Sequence, residues 1–154
     1  WNGPNAECCI KTTLARQIAN WVIIYSPLQM AADLIENYEG HPAFRFFRDF
    51  DADCDWSKAL QGEIGDYIVV ARRAKDRYFL GAGTDEKART LVQKLDFLEP
   101  GVTYTATIYA DAPDAGRNPE AYLIGKRAVT ARDTIRIEMA ERGGQAITFI
   151  PAEK

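Results

Sequence analysis

Four aspartates set the first chemical question: Asp49, Asp51, Asp53 and Asp55 alternate through DFDADCD, a spacing that resembles oxygen ligands around calcium. An EF-hand type of loop also needs a glycine at its sharp turn and a glutamate in register beyond it, and neither stands there. A solvated linker accounts better for the cluster. In YFLGAGTDEKART, residues 78–90, two glycines (Gly81 and Gly83) run into Thr84, Asp85, Glu86 and Lys87. A phosphate-cradling loop needs GxxxxGK, then Ser or Thr, opening a helix. No GK pair occurs here and a strand-like segment follows, so these glycines mark backbone that bends or approaches a neighbour. Asp85 and Glu86 alone are too few acids to hold a metal.

Other reactive side chains are sparse. The sole histidine, His41 in EGHP, has no serine or cysteine elbow beside it, which leaves it a loop or interdomain hydrogen-bonding role. Cys8, Cys9 and Cys54 lack any CxxC, and with one histidine they make a poor match to a tetrahedral zinc set of about four ligands. Cys8 and Cys9 are badly placed to bond to each other, and the spacing does not indicate a bridge from Cys54 to either. Glu7 is the only acid before the first helix and reads as a solvated loop residue. Trp56, Tyr104, Tyr109 and Tyr122 offer faces on which a pyranose ring could stack, but most alternate as strand residues do, which favours core and interface packing.

The elements that must position these groups change character along the chain. TTLARQIANWVIIY sets Leu14, Ile18, Trp21, Val22 and Tyr25 on one helical face, with Thr12 or Thr13 as N-cap. SPLQMAADL is ambiguous: Ser26, Pro27 and Gln29 suit a capping box, whereas the short apolar run before Asp33 suits a buried parallel strand. AFRFFRDF repeats Phe44, Phe47 and Phe50 at helical spacing and predicts a short amphipathic helix.

From about Lys58 the apolar period becomes two. DYIVVARR and RYFLGAG flank AKD as a hairpin, VTYTATIYAD alternates Val102, Tyr104, Ala106 and Ile108 against threonines, and TIRIEMA alternates Ile135, Ile137 and Met139. GGQAITFIP supplies a last strand, and LEPG, residues 98–101, a type I or II turn. Roughly seven or eight short strands in this half predict an antiparallel sandwich. The boundary falls in residues 51–58.

The totals fit one domain, or one domain with a fragment of another: 154 residues, 47% hydrophobic, 27% charged, formal net charge -3. No basic stripe suggests nucleic acid or an anionic membrane. The longest apolar run, IANWVIIY, is far shorter than the roughly 20 residues of a spanning helix. The opening WNGPNAECC has neither an initiator Met nor a leader pattern, so the true N-terminus is expected elsewhere.

Helix, ambiguous run and helix followed by a complete β domain is what the end of a (β/α) barrel joined to its C-terminal domain would look like. The series TTLARQ, YSPLQMAAD, ENYEGHPAF, GDYIVVARR, FLGAGTDE, LDFLEPG, YTATIYAD and NPEAY closely resembles the C-terminal end of glycoside hydrolase family 97, over nearly the whole chain from Thr12. Ile35 stands where relatives tend to carry proline, ERGGQAI replaces a PGGG-like stretch, and the 116–122 loop is shorter than the family's, which puts any packing role of that loop in doubt.

The resemblance implies a mainly β fold: an antiparallel β-sandwich of Greek-key type over 55–154, preceded over 1–54 by a helix-strand-helix remnant of a (β/α)8 catalytic barrel. It favours a strand over residues 28–32, with Asp33 at the strand's C-terminal end, where such barrels bind substrate. Asp33 thus becomes a candidate for touching a sugar hydroxyl; the competing reading is a loop or helix cap. The parent enzymes resembled are bacterial exo-acting α-glucosidases and α-galactosidases, which implies a periplasmic or secreted setting and a calcium ion whose ligands lie upstream. Their catalytic carboxylates also lie upstream, so this chain is expected to be accessory, with the rest of the barrel as its intramolecular partner and self-association as a further prospect. The alternative reading is a carbohydrate-binding or oligomerisation module without catalysis.

Overall fold

The computed structural model describes residues 11–31 and 34–152. Helix α1 (Leu14–Ile23) is capped by Thr13, whose hydroxyl oxygen accepts from the Arg16 amide at 3.1 Å. It ends before Ser26-Pro27, because a residue preceding proline is pushed away from helical geometry. Ala15, Ile18, Ala19 and Val22 are fully buried. Tyr25, expected on the same face, lies beyond the helix and is 61% exposed.

No strand forms over residues 28–31, the described part of the strand expected over 28–32. A parallel strand is held by ladder bonds to neighbours on both sides, and among the described residues no strand pairs with this segment. Two short helices follow, α2 (Ile35–Tyr38) and α3 (Arg45–Asp49), the latter entered through a tight turn (Pro42–Phe44) for which the His41 ring caps the Ala43 amide. Phe46 takes the deepest position of this segment, with Phe47 and Phe50 half-buried beside it.

Eight strands follow: β1 (Trp56–Glu63), β2 (Tyr67–Ala74), β3 (Arg77–Thr84), β4 (Arg89–Lys94), β5 (Tyr104–Asp111), β6 (Tyr122–Val129), β7 (Thr134–Met139) and β8 (Gly144–Pro151). All pairings are antiparallel; six strands form a sheet in the order β1-β2-β3-β8-β5-β6, and β4 pairs with β7 in a second sheet. Strand β8 returns past β6 and β7 to lie beside β5, a Greek-key return.

The predicted hairpin joins β2 to β3 through Lys75, whose φ of 59° suits a tight hairpin turn. The LEPG turn sits one residue later than expected: Val102 donates to the Glu99 carbonyl, with Pro100 at the second position and Gly101 at φ 82°, which is a type II turn.

The larger sheet is covered on both faces. One face packs on the small sheet through Val69, Leu80, Tyr104, Ile137, Ile147 and Phe149; the other packs on α1 and α3 through Phe79, Tyr109 and Ala146. Double coverage explains why β3 and β8 are buried almost throughout, whereas β7 keeps the strict alternation of a one-sided strand.

Candidate functional site

The helical segment and the sheet face beneath it form the distinctive surface of this chain. Its floor is made of glycines. A Cβ on Gly81 would lie 2.6 Å from the Ala19 carbonyl oxygen and 2.8 Å from Val22 Cβ, one on Gly83 would meet the Arg16 guanidinium at 2.4 Å, and one on Gly144 would meet Arg16 Cα at 2.7 Å. The glycines of GAG therefore mark a close approach of α1 to β3, as the sequence indicated in general terms.

Arg16 fastens this helix to the end of the sheet. Its Nη1 donates to the Thr84 carbonyl at 2.8 Å and its Nε to Asn20 Oδ1 at 3.0 Å. Nearby, Asp111 Oδ2 accepts from the Ala140 and Gly144 amides at 2.9 and 3.0 Å, holding the β7–β8 turn, while among the described residues Oδ1 has no hydrogen-bond partner. Burial pushes the Asp111 carboxyl above its ordinary value, opposed by the Thr13 hydroxyl, the two amides and the charge of Arg16.

The acids singled out in the sequence do not converge on a vacancy. Asp85 and Asp66 do meet, but at the Arg89 guanidinium: Nη2 donates to Asp66 Oδ2 at 2.7 Å, and Nη1 donates to Asp85 Oδ1. The hydrogen bond from Arg89, helped by the Lys87 amide, holds the Asp85 carboxyl down at about 2. A lowered acid contributes stability that is complete above its unfolded value near pH 4 and is lost as pH falls through about 2. An Arg89→Leu variant is expected to return Asp85 toward the ordinary carboxylate range and to remove that acid-side loss, read by NMR titration of the carboxylate and by denaturation between pH 5 and 2.

In the DFDADCD cluster, Asp51 accepts from the Asp53 amide at 3.1 Å and pairs with Lys75 Nζ at 3.3 Å. Asp55 accepts from the Lys75 amide at 2.8 Å, and Asp49 pairs with Arg45 at 3.2 Å. Among the described residues, no group of three or more His, Cys, Asp or Glu side chains is placed to hold a metal ion. Cys54 carries a free, half-buried thiol whose hydrogen points to the Asp51 carbonyl, and burial raises its pKa. Glu7, Cys8, Cys9 and Asp33 lie outside the described residues.

Of the aromatic candidates for a sugar platform, Tyr104, Tyr109 and Tyr122 are packing groups, and Trp56 is a partly buried residue at the start of β1. Tyr104 and Tyr109 are buried on opposite faces of the sheet, and burial pushes each phenol up to about 12. Tyr122 is half-buried and stacks on His41 with ring centres 5.4 Å apart.

A second aromatic group, legible in the sequence only as helix faces, lines a groove of about 510 Å³: Trp21, Met30, Tyr38, Phe44, Phe47 and Glu120 are among its walls. Trp21 meets Phe47 edge-on at 4.5 Å. Beside the groove, Ile24, Tyr25, Leu28, Met30, Leu34 and Ile35 are each more than half exposed, from 53% to 79%. Scattered apolar residues are ordinary on a surface, but six large ones so close along the chain make the pattern of a surface that another part of a protein covers. Among the described residues, no helix is long and apolar enough to cross a membrane.

A family model described as Glycosyl-hydrolase 97 C-terminal, oligomerisation, matches residues 53–150. A retaining alpha-galactosidase of Bacteroides thetaiotaomicron is 32% identical over 136 residues, which are 88% of this chain and 20% of that protein. A glycoside hydrolase family 97 enzyme of a Pseudoalteromonas species, solved in complex with acarbose, is 46% identical with TM-score 0.88, covering 93% of this chain and 23% of that one. A beta-arabinopyranosidase shares the fold at 22% identity and TM-score 0.68, covering 89% of this chain and 21% of that one. The chain thus spans between a fifth and a quarter of the length of these relatives.

Proposed function

Because this chain belongs to the glycosyl-hydrolase 97 C-terminal family, we propose that it is the accessory end of an exo-acting α-glycosidase hydrolysing terminal α-galactosides or α-glucosides. Residues 55–154 form the accessory sandwich, and residues 1–54 the end of the catalytic barrel. The observation that carries this reading is the exposure of Ile24, Tyr25, Leu28, Met30, Leu34 and Ile35, which follow a helix pinned to the sandwich through a glycine floor. The rest of the barrel is the partner that covers it. The setting is the bacterial periplasm or exterior.

Catalysis belongs to the parent polypeptide. Hydrolysis of a glycosidic bond takes two carboxylates facing across it, one as acid and the other as base or nucleophile. Among the described residues, Asp66 and Asp85 are drawn to one guanidinium, that of Arg89, an ion-paired arrangement and not two carboxylates facing across a substrate. A calcium ion in the parent would be held elsewhere, a reading supported by the engagement of Asp49, Asp51, Asp55, Asp66 and Asp85 with Arg45, Lys75, Arg89 and backbone amides. The role of this chain is to close the barrel and stiffen it.

Incubation of the purified chain with chromogenic α-galactoside and α-glucoside, with calcium, tests this directly. No turnover is expected, against clear turnover by the full-length enzyme. Turnover by the chain at the parent's rate would overturn the accessory role.

Self-association is a second role, favoured by the description of the matching family model. Light scattering on the chain and on the intact enzyme distinguishes it from stickiness of an uncovered face: association in both supports it, and association of the chain alone counts against it.

A further inference from the structure

Arg72 on β2 is 2% exposed, yet among the described residues no carboxylate pairs with it and its Nε has no hydrogen-bond partner. A buried guanidinium without an acid is costly, and an apolar residue of similar size would usually serve stability as well or better. Its surroundings show what the charge holds instead. Nη2 reaches the Ile23 carbonyl at 3.5 Å, the last residue of α1, and the guanidinium carbon sits 5.0 Å from the centre of the Tyr25 ring. Helix α1 has no basic residue in its own last turn, so Arg72 supplies, from the sheet, the cation that a helix C-terminus attracts.

That contact lies where the chain leaves the helix for residues 24–31. Gln29 folds back on the same helix end, its amide donating to the Trp21 and Ile24 carbonyls at 3.3 and 3.1 Å, and the Ser26 hydroxyl donates to the Leu28 carbonyl at 2.6 Å. These bonds are local to the segment. Arg72 ties it to the sandwich, and so fixes the segment's direction relative to the sheet.

We propose that Arg72 is a positioning residue, through which the sandwich aligns the barrel segment of residues 24–31 for the parent's α-glycosidase reaction. This rests on the reading of the chain as the end of that enzyme. The mechanism is geometric: a charged fork on a helix end and a ring fixes the exit direction more tightly than apolar packing does. A segment of the barrel shifted by about 1 Å can cost up to a hundredfold in rate.

The test uses the full-length parent enzyme carrying Arg72→Met, Arg72→Lys or Tyr25→Leu. For Arg72→Met the expected result is kcat lowered about tenfold or more with KM within about twofold, at an unchanged Tm. Arg72→Lys should restore part of the loss, and Tyr25→Leu, which removes the ring under the guanidinium, should lower kcat in the same direction by less. If Arg72→Met does not fold, Tyr25→Leu decides: an unchanged kcat overturns the proposal. An active wild type with Arg72→Met at full kcat overturns it while leaving the proposed function standing. A wild type inactive on every α-glucoside and α-galactoside overturns the proposed function, and this inference with it.

Discussion

Gly81→Val should lift α1 from the sheet and destabilise this chain by about 3 kcal/mol or more. The new Cβ would stand 2.6 Å from a backbone oxygen, that of Ala19, and 2.8 Å from Val22 Cβ. Neither can swing aside as the tip of a long side chain would, so the helix itself must move. Movement would uncover Ile18, Ala19 and Val22 and loosen their packing on Phe79 and Ala146. Gly125 on the edge strand β6 is the matched control, since a Cβ placed there would meet nothing within 4 Å. Gly125→Val should be neutral or slightly stabilising, because a β-branched residue suits a strand better than glycine. Urea denaturation of the two variants decides; equal stabilities would remove the close approach from the account.

Asp111→Ala is expected to cost about 3 kcal/mol, because it strips the Ala140 and Gly144 amides of their acceptor and leaves Arg16 without its nearby opposite charge. Asp111→Asn keeps an acceptor oxygen and should cost less. The sign of the pH effect separates the two contributions. Burial raises the Asp111 carboxyl, so its ionised form is the less favoured one in the folded state, and stability from this group rises as pH falls through its folded value toward the ordinary range. Wild type minus Asp111→Asn should therefore show a difference that grows as pH falls through that window and then levels off. A difference that shrinks there would mean that the amides and Arg16 outweigh burial.

How legible this architecture was depends on the range of the interactions involved. The turn of the β2–β3 hairpin, the Thr13 cap and the alternation of Ile135, Ile137 and Met139 are local, and the sequence displays each of them. The double burial of β3 and β8 was harder to read, because a strand covered on both faces has no period to reveal which neighbour lies on which side. The strand expected over 28–32 needs flanking strands, and among the described residues none pairs with residues 28–31. Asp66 lies 23 residues from Arg89, and Arg72 lies 49 from Ile23, so charges that look like solvated surface in the sequence became partners only through topology. An arginine within an apolar strand, as in VVARRA, was the one local signal that Arg72 was unusual.

The same distinction separates the two groups of acids. Spacing made DFDADCD look like a ligand set, yet the carboxylates of Asp49, Asp51 and Asp55 turn to Arg45, Lys75 and nearby backbone amides. The pair that does converge, Asp66 and Asp85, is drawn together by Arg89. The feature that points to function is instead apolar: Ile24, Tyr25, Leu28, Met30, Leu34 and Ile35 are exposed to solvent at an aromatic groove.

Hydrogen–deuterium exchange on this chain and on the full-length parent enzyme tests the central claim, that this face is covered by the rest of the barrel while the sandwich stands by itself. Amides of residues 24–31 and 34–38 are predicted to exchange rapidly in the chain and to be strongly protected in the parent, with β2, β3 and β8 protected in both. Equally rapid exchange of those residues in the parent would contradict it.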